Sequence, residues 1–558
     1  MIKKKFKSYQ KDQVSLFPLS FGELVPPGHI ARVIDCFVNG LSMDLLARYF
    51  TNQGGNAPYN PRMMMKLLLF GYQSGVFSSR KIEAFTYESI PCLWLCGGEH
   101  PDHATIARFR SLYFLDIFQD VFVQLILLLV EKGLVNLEDY VLDGTKLEAD
   151  ANKYKMVFKK NAFRYSKMVR EKIIALFAEI DEIEKQSEEE AKKGHKMDCE
   201  DFSSEEVYAK AQEIEKSINE DLPPKEKKKI ETRCRHLKKG ADKLKGYEDQ
   251  LQELGERNSY SKTDIDATYM RMKNDESRPG YNVQVGTNGE FITGATAHQN
   301  GGDSACTIDH LEERSKMLEQ VNLDSMPETL TADGGYGTEA VFDYLEQNGV
   351  SPNVKFTGYY KESKKTFKED ISRWQNMLYH EEGDYYECAN GRKLTWKKHN
   401  IVTNKSGYES HRDVYESADC SDCPFREKCF SMKGKVKQIV VNRNFQRHKE
   451  RARRTIKSEE GGEKMRMRGH DIETVFGHIK HNLKFKRFML RGLEKVGAEL
   501  LLLSLSYNLS KMAKYSKKAL IRVLLFVFFG EWIKKGFKRF EFHSQSLFFI
   551  QNQFLYKF

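Results

Sequence analysis

Three carboxylates in this chain stand where an acidic side chain has a chemical reason to be: Asp143 in VLDGTKLEAD, Asp333 in TLTADGGYG and Glu473 in RGHDIETVFGHIK. Asp143 sits at the centre of a short apolar run, and Asp333 ends another that breaks into Gly334 and Gly335, so both read as carboxylates presented at strand positions. A carboxylate inside an apolar strand is costly unless it has a ligand. Glu473 precedes an apolar and basic helical pattern in which Lys480 follows after seven positions, an offset that returns to nearly the same helix face at about 3.6 residues per turn. Magnesium-like ions take oxygen ligands and keep several waters. Two or three carboxylates plus substrate phosphates therefore suffice to hold two ions roughly 4 Å apart for in-line attack on a phosphodiester. Nearby acids compete for these roles: Glu148 and Asp150 beside Asp143, and Asp264, Asp266 and Asp303 as rivals of Asp333, with Asp303 also able to orient a ligand. Gly334, Gly335 and Gly337 lack the Lys and Ser or Thr that complete a phosphate loop and read as a turn.

A second constellation is made of thiols. CSDCPFREKC supplies Cys420, Cys423 and Cys429, and YYECANG supplies Cys388 from further away. Four thiolates can hold Zn²⁺ tetrahedrally at about 2.3 Å, and such a closed set leaves no open position, so the ion would stabilise a small β-rich insertion and take no part in catalysis. The alternative is reduced cysteines in a loop. Cys36, Cys92, Cys96, Cys199, Cys234 and Cys306 are scattered and form no secreted disulfide framework.

Several elements must position these groups. The N-terminal stretch reads as helical: Pro61 opens one helix, Ser78 or Ser79 can cap RKIEAFTYES, and Asp102 or Thr105 can cap the next. With Arg80, Lys81, Arg108 and Arg110 exposed, this arrangement fits helix-turn-helix docking on DNA, and helical packing alone explains the pattern nearly as well. The stretch 153–260 alternates Lys, Glu and small residues with Leu and Ile at helical spacing, which predicts an inserted antiparallel helical hairpin or coiled coil, with disorder around Ser187 to Ser204. After it come YNVQVGT, Asn288, Gly289 and EFITGATA, where Asn-Gly between alternating runs predicts a hairpin. Asp303 can cap the helix that follows, and the order strand, helix, strand leads on through TLTAD and SPNVKF.

Composition sets bounds on partners and place. The 558 residues allow three or four domain-sized units, and 40% hydrophobic content supports a core. Lys and Arg number 89 against 79 Asp and Glu, and most of the excess lies between Lys433 and Lys495, which suits a polyanion. The basic MIKKKFKSYQKDQ lacks the apolar core of a signal peptide, and ALIRVLLFVFFGEWIKKGF, interrupted by Arg522, Gly530 and Glu531, falls short of the roughly 20 residues of a membrane span. The expectation is a cytoplasmic, nucleoid-associated protein with no membrane partner.

At the three carboxylates the chain closely resembles the DDE transposases of bacterial insertion sequences. The resemblance runs over nearly the whole length, through YNPRMMMKLLLFGY, SSRKIEAF, PDHATIARFR, DGTKLEADANKY, PGYNVQVG, TADGGYG and ETVFGHIKHNLKFKRFMLRGLEKVGAELLLL. It implies a ribonuclease-H-like core with Asp143, Asp333 and Glu473 as the catalytic triad, holding Mg²⁺ or Mn²⁺, two per site. It also implies double-stranded DNA partners, namely terminal inverted repeats and target DNA, and a homo-oligomer on paired ends. The wider group carries Tyr, two residues, Arg, three residues, Glu, six residues, Lys. Here the Glu473 to Lys480 interval fits, Gly469 and Arg466 occupy the Arg and Tyr places, and Arg468 becomes the substitute. If the helix continues, Phe476, Lys480, Lys484, Arg487 and Arg491 form one stripe on the DNA path.

The expected fold is α/β, α+β overall. A ribonuclease-H-like mixed sheet (136–152 and 261–360) is joined by an N-terminal helical module (1–135), the helical insertion (153–260) and the small zinc-binding β-rich insertion (361–450). The helix region of the third acid (451–515) and an apolar, basic tail (516–558) complete the chain. An inactive DNA-binding relic acting as a repressor and a stand-alone metal-dependent nuclease are the alternatives.

Overall fold

The computed structural model describes residues 20–42, 58–113, 115–185, 202–218, 223–273, 275–323, 326–404, 406–430 and 434–535. For 112–113, 115–116, 184–185 and 516–535 it describes the backbone alone. The expectation of disorder at Ser187 to Ser204 falls largely outside these residues. Ser204 itself opens a helix through a reciprocal cap between Ser203 and Glu206.

The central sheet is built from β1 (Asp139–Glu148), β4 (Thr268–Arg271), β5 (Ser277–Asn288), β6 (Phe291–His298), β7 (Thr329–Gly337) and β8 (Ser351–Phe356), with β2 (Met156–Phe158) and β3 (Ser259–Ser261) as a separate ribbon. β1 pairs antiparallel with β5 and parallel with β7, β5 pairs antiparallel with β6 and β4, and β7 runs parallel to β8. The order β6–β5–β1–β7–β8, three antiparallel strands followed by two parallel ones reached through helices, is the ribonuclease-H-like arrangement of an α/β fold. Every residue of β6 is buried, so both faces of that strand are covered. The hairpin before it is slipped by one residue from the sequence reading. Asn288 pairs with Phe291, and the two turn positions with positive φ are Gly289 (56°) and Glu290 (64°). Asn288 instead braces the turn against β1, donating to the Asp139 carbonyl at 2.8 Å.

One face of the sheet packs on the helix Asp303–Glu319, with Tyr140, Leu142, Leu311 and Tyr336 in a shared core. Gly286 and Gly294 are flat because the Tyr140 ring lies where their Cβ atoms would stand. The other face is covered by the N-terminal helices, the Glu473 helix (Glu459–Gly477) and the C-terminal helix (Leu493–Lys535), whose apolar side chains form one continuous core with β5 and β6. The N-terminal helices are therefore welded to the sheet and to the C-terminal helix. Asn60 caps Pro61–Gln73 and Asp102 caps His103–Arg108 as their side-chain chemistry predicts, while Ser78 precedes Ser79–Glu88 without a side-chain cap.

The 153–260 insertion holds three described helices, Lys159–Lys185, Ser204–Ser217 and Pro224–Leu254, which close a core of their own around Ile173, Phe177, Val207 and Leu237, so the helical hairpin gains a third member. The cysteine-bearing insertion is a five-stranded antiparallel sheet of β9 (Leu378–His380), β10 (Tyr385–Glu387), β11 (Lys393–Thr403), β12 (Glu409–Ser417) and β13 (Gln438–Val441). Among the described residues, no helix is long and apolar enough to cross a membrane.

Candidate active site

The parallel register of β1 on β7 pairs Asp139 with Thr329 and Val141 with Thr331. Continued by two residues, it sets Asp143 level with Asp333 on neighbouring strands and on the same face, because side chains alternate along a strand. Beyond Val141 the two strands part, and β7 also loses its partner on the other side: its register against β8 jumps between Ala332 and Gly337. The stretch Asp333–Tyr336 is thus a strand with a bulge, where the sequence reading placed a turn, and bulges re-aim side chains beside active sites. Glu473 stands exposed on the helix Glu459–Gly477, which packs across β1, β5 and β7 and brings Arg468 beside Asp143, while the three acids do not have their carboxylate oxygens all within 4.8 Å of one another.

The environment of Asp143 is set by burial, which pushes its carboxyl pKa up against the Gly144 N–H and Arg468, with Asp333 adding like-charge repulsion and Lys273 opposing it. Gly144 N donates to Asp143 Oδ1 at 2.9 Å, and Arg468 Nη1 lies 3.7 Å from Asp143 Oδ2. Two carboxylates crowded into a half-buried notch, with oxygen donors only, form a set that suits a hard divalent cation. Lys480 borders the same notch. Its ammonium donates to the Thr145 hydroxyl and, at 3.4 Å, to the Lys146 carbonyl. Burial, with Lys273 alongside, pushes its pKa down to about 8 in spite of Asp143.

The structure parts company with the stripe reading. The helix ends at Gly477, a π-helical turn runs over His478–Asn482, and Lys484 takes a φ of 58°. The chain then runs alongside the end of β1: Glu148 N donates to the Lys486 carbonyl at 3.1 Å and Phe488 N to the Glu148 carbonyl at 2.9 Å. The sheet's free backbone groups thus redirect a segment whose own pattern is helical. Phe476 turns into the core, Lys484 is exposed, and Arg487 and Arg491 both hold Asp150. Arg491 also borders an open basic concavity of about 620 Å³ with Lys155, Lys262, Thr263, Met156 and Tyr154.

Among the N-terminal cations, Arg80, Lys81 and Arg108 are exposed but Arg110 is not. Its guanidinium donates to the Tyr72 hydroxyl at 3.0 Å and the Phe77 carbonyl at 2.7 Å. The rival acids find structural work. Glu148 faces Arg278 at 3.6 Å, Asp264 accepts from the Tyr281 hydroxyl and from Gly492 N, and Asp266 accepts from Leu493 N at 2.7 Å at the start of the C-terminal helix.

In the insertion, Cys388 follows β10, Cys420 and Cys423 follow β12, and Cys429 ends the short helix Arg426–Cys429. Burial pushes the Cys429 thiol pKa up, with Lys437 opposing it and Cys388, Cys423 and Cys420 adding to it, but no three of the four sulfur atoms lie within 4.8 Å of one another. Lys437 N donates to Cys420 Sγ at 3.4 Å and Arg426 Nη1 to the Cys420 carbonyl at 3.1 Å.

Tighter still, among the described residues, are Glu290 with His470 and Asp471, and Asp343 with Glu346 and His448, each bringing three ligand atoms within 4.8 Å of one another. Both sets are engaged by the protein's own cations and donors: Lys511 and His470 on Glu290, Arg447 and Arg451 on Glu346, and Asn444 and Tyr408 on Asp343.

Sequence reasoning missed Asn282, Gln284, Tyr336 and Lys273 around this site. The available signal was the alternation in YNVQVG, where polar Asn282 and Gln284 interrupt a strand that is otherwise buried. The side chains of these two residues are themselves fully buried.

The ribonuclease-H-like sheet with acidic side chains on its two central strands defines the class. The particular family follows from comparison. Residues 387–513 match a transposase DDE domain, and residues 19–112 match a transposase domain (DUF772). The first stretch contains Glu473 and the four cysteines, whereas Asp143 and Asp333 lie between the two. The two matches indicate a DDE transposase of the insertion-sequence type, a family that implies divalent metal and a DNA substrate. No curated protein and no solved structure matches the chain.

Proposed function

We propose that this transposase binds the terminal inverted repeats of its own element, cleaves at the ends and joins them to target DNA, working as a homo-oligomer on paired ends. The observation that carries the reading is the level placement of Asp143 and Asp333 on adjacent parallel strands beneath the Glu473 helix. Asp143, Asp333 and Glu473 would hold two Mg²⁺ or Mn²⁺ ions, which supply Lewis-acid stabilisation of the leaving oxygen and a more acidic attacking water or 3′-hydroxyl. Arg468 neutralises and orients Asp143 from the helix, and Lys480 offers a cation beside the same strand for a DNA phosphate. Lys484, Arg487, Arg491, Lys155 and Lys262 extend the basic surface along the end of β1. Cys388, Cys420, Cys423 and Cys429 would hold a structural Zn²⁺ that stabilises the five-stranded insertion.

The test is strand cleavage on a duplex carrying the element's end. Asp143→Asn, Asp333→Asn and Glu473→Gln should each abolish cleavage while leaving affinity for end DNA within about tenfold, because ion binding and not docking is lost. Cleavage at the parental rate by any one of them would remove that residue from the triad. Cutting without joining by the parent would make it a nuclease, and binding without cutting a repressor.

A further inference from the structure

The sequence offers Asp303 as the cap of the helix Asp303–Glu319, accepting from its first-turn N–H groups. Asp303 does not do so: the N-cap is Gly302, and no side chain caps this helix. The Asp303 carboxylate is drawn instead toward the sheet. Its Oδ1 accepts from two buried amides, Asn282 Nδ2 at 2.9 Å and Gln284 Nε2 at 3.1 Å. Gln284 is itself fixed, because the buried Tyr336 hydroxyl donates to its Oε1 at 2.6 Å while its Nε2 also donates to Asn282 Oδ1 at 3.0 Å. Three buried polar side chains thus orient one carboxylate through a single oxygen.

The other oxygen looks into the gap where β1 and β7 part. A Cβ at Gly335 would lie 3.9 Å from Asp303 Oδ2 and 3.0 Å from Asp333 Oδ1, so both carboxylates border the same small space. On the β1 side, a Cβ at Gly144 would lie 2.5 Å from Asp303 Oδ1 and 2.6 Å from Gln284 Nε2. The residue after Asp143 must therefore be glycine for Asp303 to stand where it does. A surface carboxylate with a helix N-terminus at hand has no reason to be held this way, and burying Asn282 and Gln284 to hold it costs free energy unless the held group has a task.

We infer that Asp303 is a fourth carboxylate of the ion-binding notch, a metal-positioning residue that reaches it through the gap between β1 and β7 from the opposite face of the sheet. The inference rests on the proposed two-ion reading of Asp143 and Asp333 and adds a residue outside that triad. Its Oδ2 would face the ion on the Asp333 side, directly or through one of the ion's waters, and Gln284 and Asn282 would keep it from swinging back to its helix.

The experiment is Mn²⁺ titration of the full-length protein by calorimetry, without DNA, for the parent, Asp303→Asn and Asp333→Asn, alongside cleavage rate against Mn²⁺ concentration. Asp303→Asn keeps the side-chain shape and the acceptor oxygen used by the amides. It should weaken Mn²⁺ binding by about 10–100-fold, shift the Mn²⁺ needed for half-maximal cleavage upward by a similar factor, and leave metal-free thermal unfolding unchanged. Parental Mn²⁺ affinity and an unshifted metal dependence in Asp303→Asn would overturn the inference. So would a lowered metal-free unfolding temperature with the Mn²⁺ response intact, since that marks a merely structural role. The two-ion reading fails separately, if Asp333→Asn binds Mn²⁺ and cleaves like the parent.

Discussion

The sharpest disagreement between pattern and structure concerns Arg110, and it can be put to the test. As a DNA-docking residue, Arg110 would lose affinity on substitution and leave stability unchanged. In the structure it is 4% exposed, and its guanidinium meets the Glu499 carboxylate at the Tyr72 hydroxyl: Arg110 Nη1 donates to that hydroxyl at 3.0 Å, which donates to Glu499 Oε1 at 2.6 Å. Glu499 Oε2 also accepts from Met489 N at 2.9 Å and Leu490 N at 3.0 Å, so one buried network joins the N-terminal helices, the C-terminal helix and the segment that runs beside β1. Burial already pushes the Glu499 pKa up, with Arg110 the largest opposing influence. Arg110→Met removes that influence and strands a buried carboxylate. Breaking a buried charge pair from one side costs about 3–5 kcal/mol. At roughly 1.4 kcal/mol per decade this is a factor of about 10²–10³·⁵ in the unfolding equilibrium. For a cooperative unit of 150–250 residues the unfolding temperature should fall by roughly 6–20 °C. Replacing both partners, Arg110→Met with Glu499→Gln, should recover a large part of the loss, because no buried charge is left unmatched. The assay is thermal unfolding of the four corners of this cycle, with end-DNA affinity measured on the same preparations below the transition. An Arg110→Met protein that unfolds like the parent yet binds DNA many-fold more weakly would refute the buried-network argument.

Three more outcomes follow. Lys480 has a pKa of about 8 in the fold, below its ordinary 10.5. Protonation therefore favours the unfolded chain, and stability gains from this residue as pH rises through about 8 toward 10.5. Over the same rise its cationic contribution to DNA binding is lost, so affinity for end DNA should fall between pH 7 and 9, and Lys480→Arg should flatten that fall; identical pH profiles would take Lys480 off the DNA path. Elemental analysis of reduced protein should find about one Zn²⁺ per chain, lost together with solubility in Cys420→Ser or Cys423→Ser, and zinc-free parental protein would dismiss the site. Lys155→Ala with Lys262→Ala should lower the salt slope of DNA binding by about 1.8, at 0.9 per phosphate contact, and an unchanged slope would place the DNA elsewhere.

The parts of this architecture legible in one sequence are those decided by neighbours along the chain. An acid isolated in an apolar run marks β1 and β7, alternation through YNVQVGT and EFITGATA marks β5 and β6, and together they yield the α/β sheet. The cap at Asp102 is equally local. What escapes the pattern is decided by groups remote in sequence. The stretch after Gly477 carries basic residues at helical spacing, yet Glu148 at the end of β1 offers an unpaired N–H and C=O, and pairing them with Lys486 and Phe488 unwinds the segment. Arg110 lies among exposed cations in the sequence, and only the arrival of Glu499, 389 positions on, makes its burial tolerable.

Asp303 is the instructive middle case. Its place at a helix start is legible and predicts a cap, but two amides on β5 outbid the helix N-terminus for its carboxylate. Asn282 and Gln284 are buried and already held by Tyr336 and by each other, so holding Asp303 costs them little further side-chain entropy. Asp264 and Asp266 go the other way: they hold backbone N–H groups at the start of the distant C-terminal helix. In this fold these acids take partners remote in sequence, and a reading confined to each acid's own helix or turn misses them.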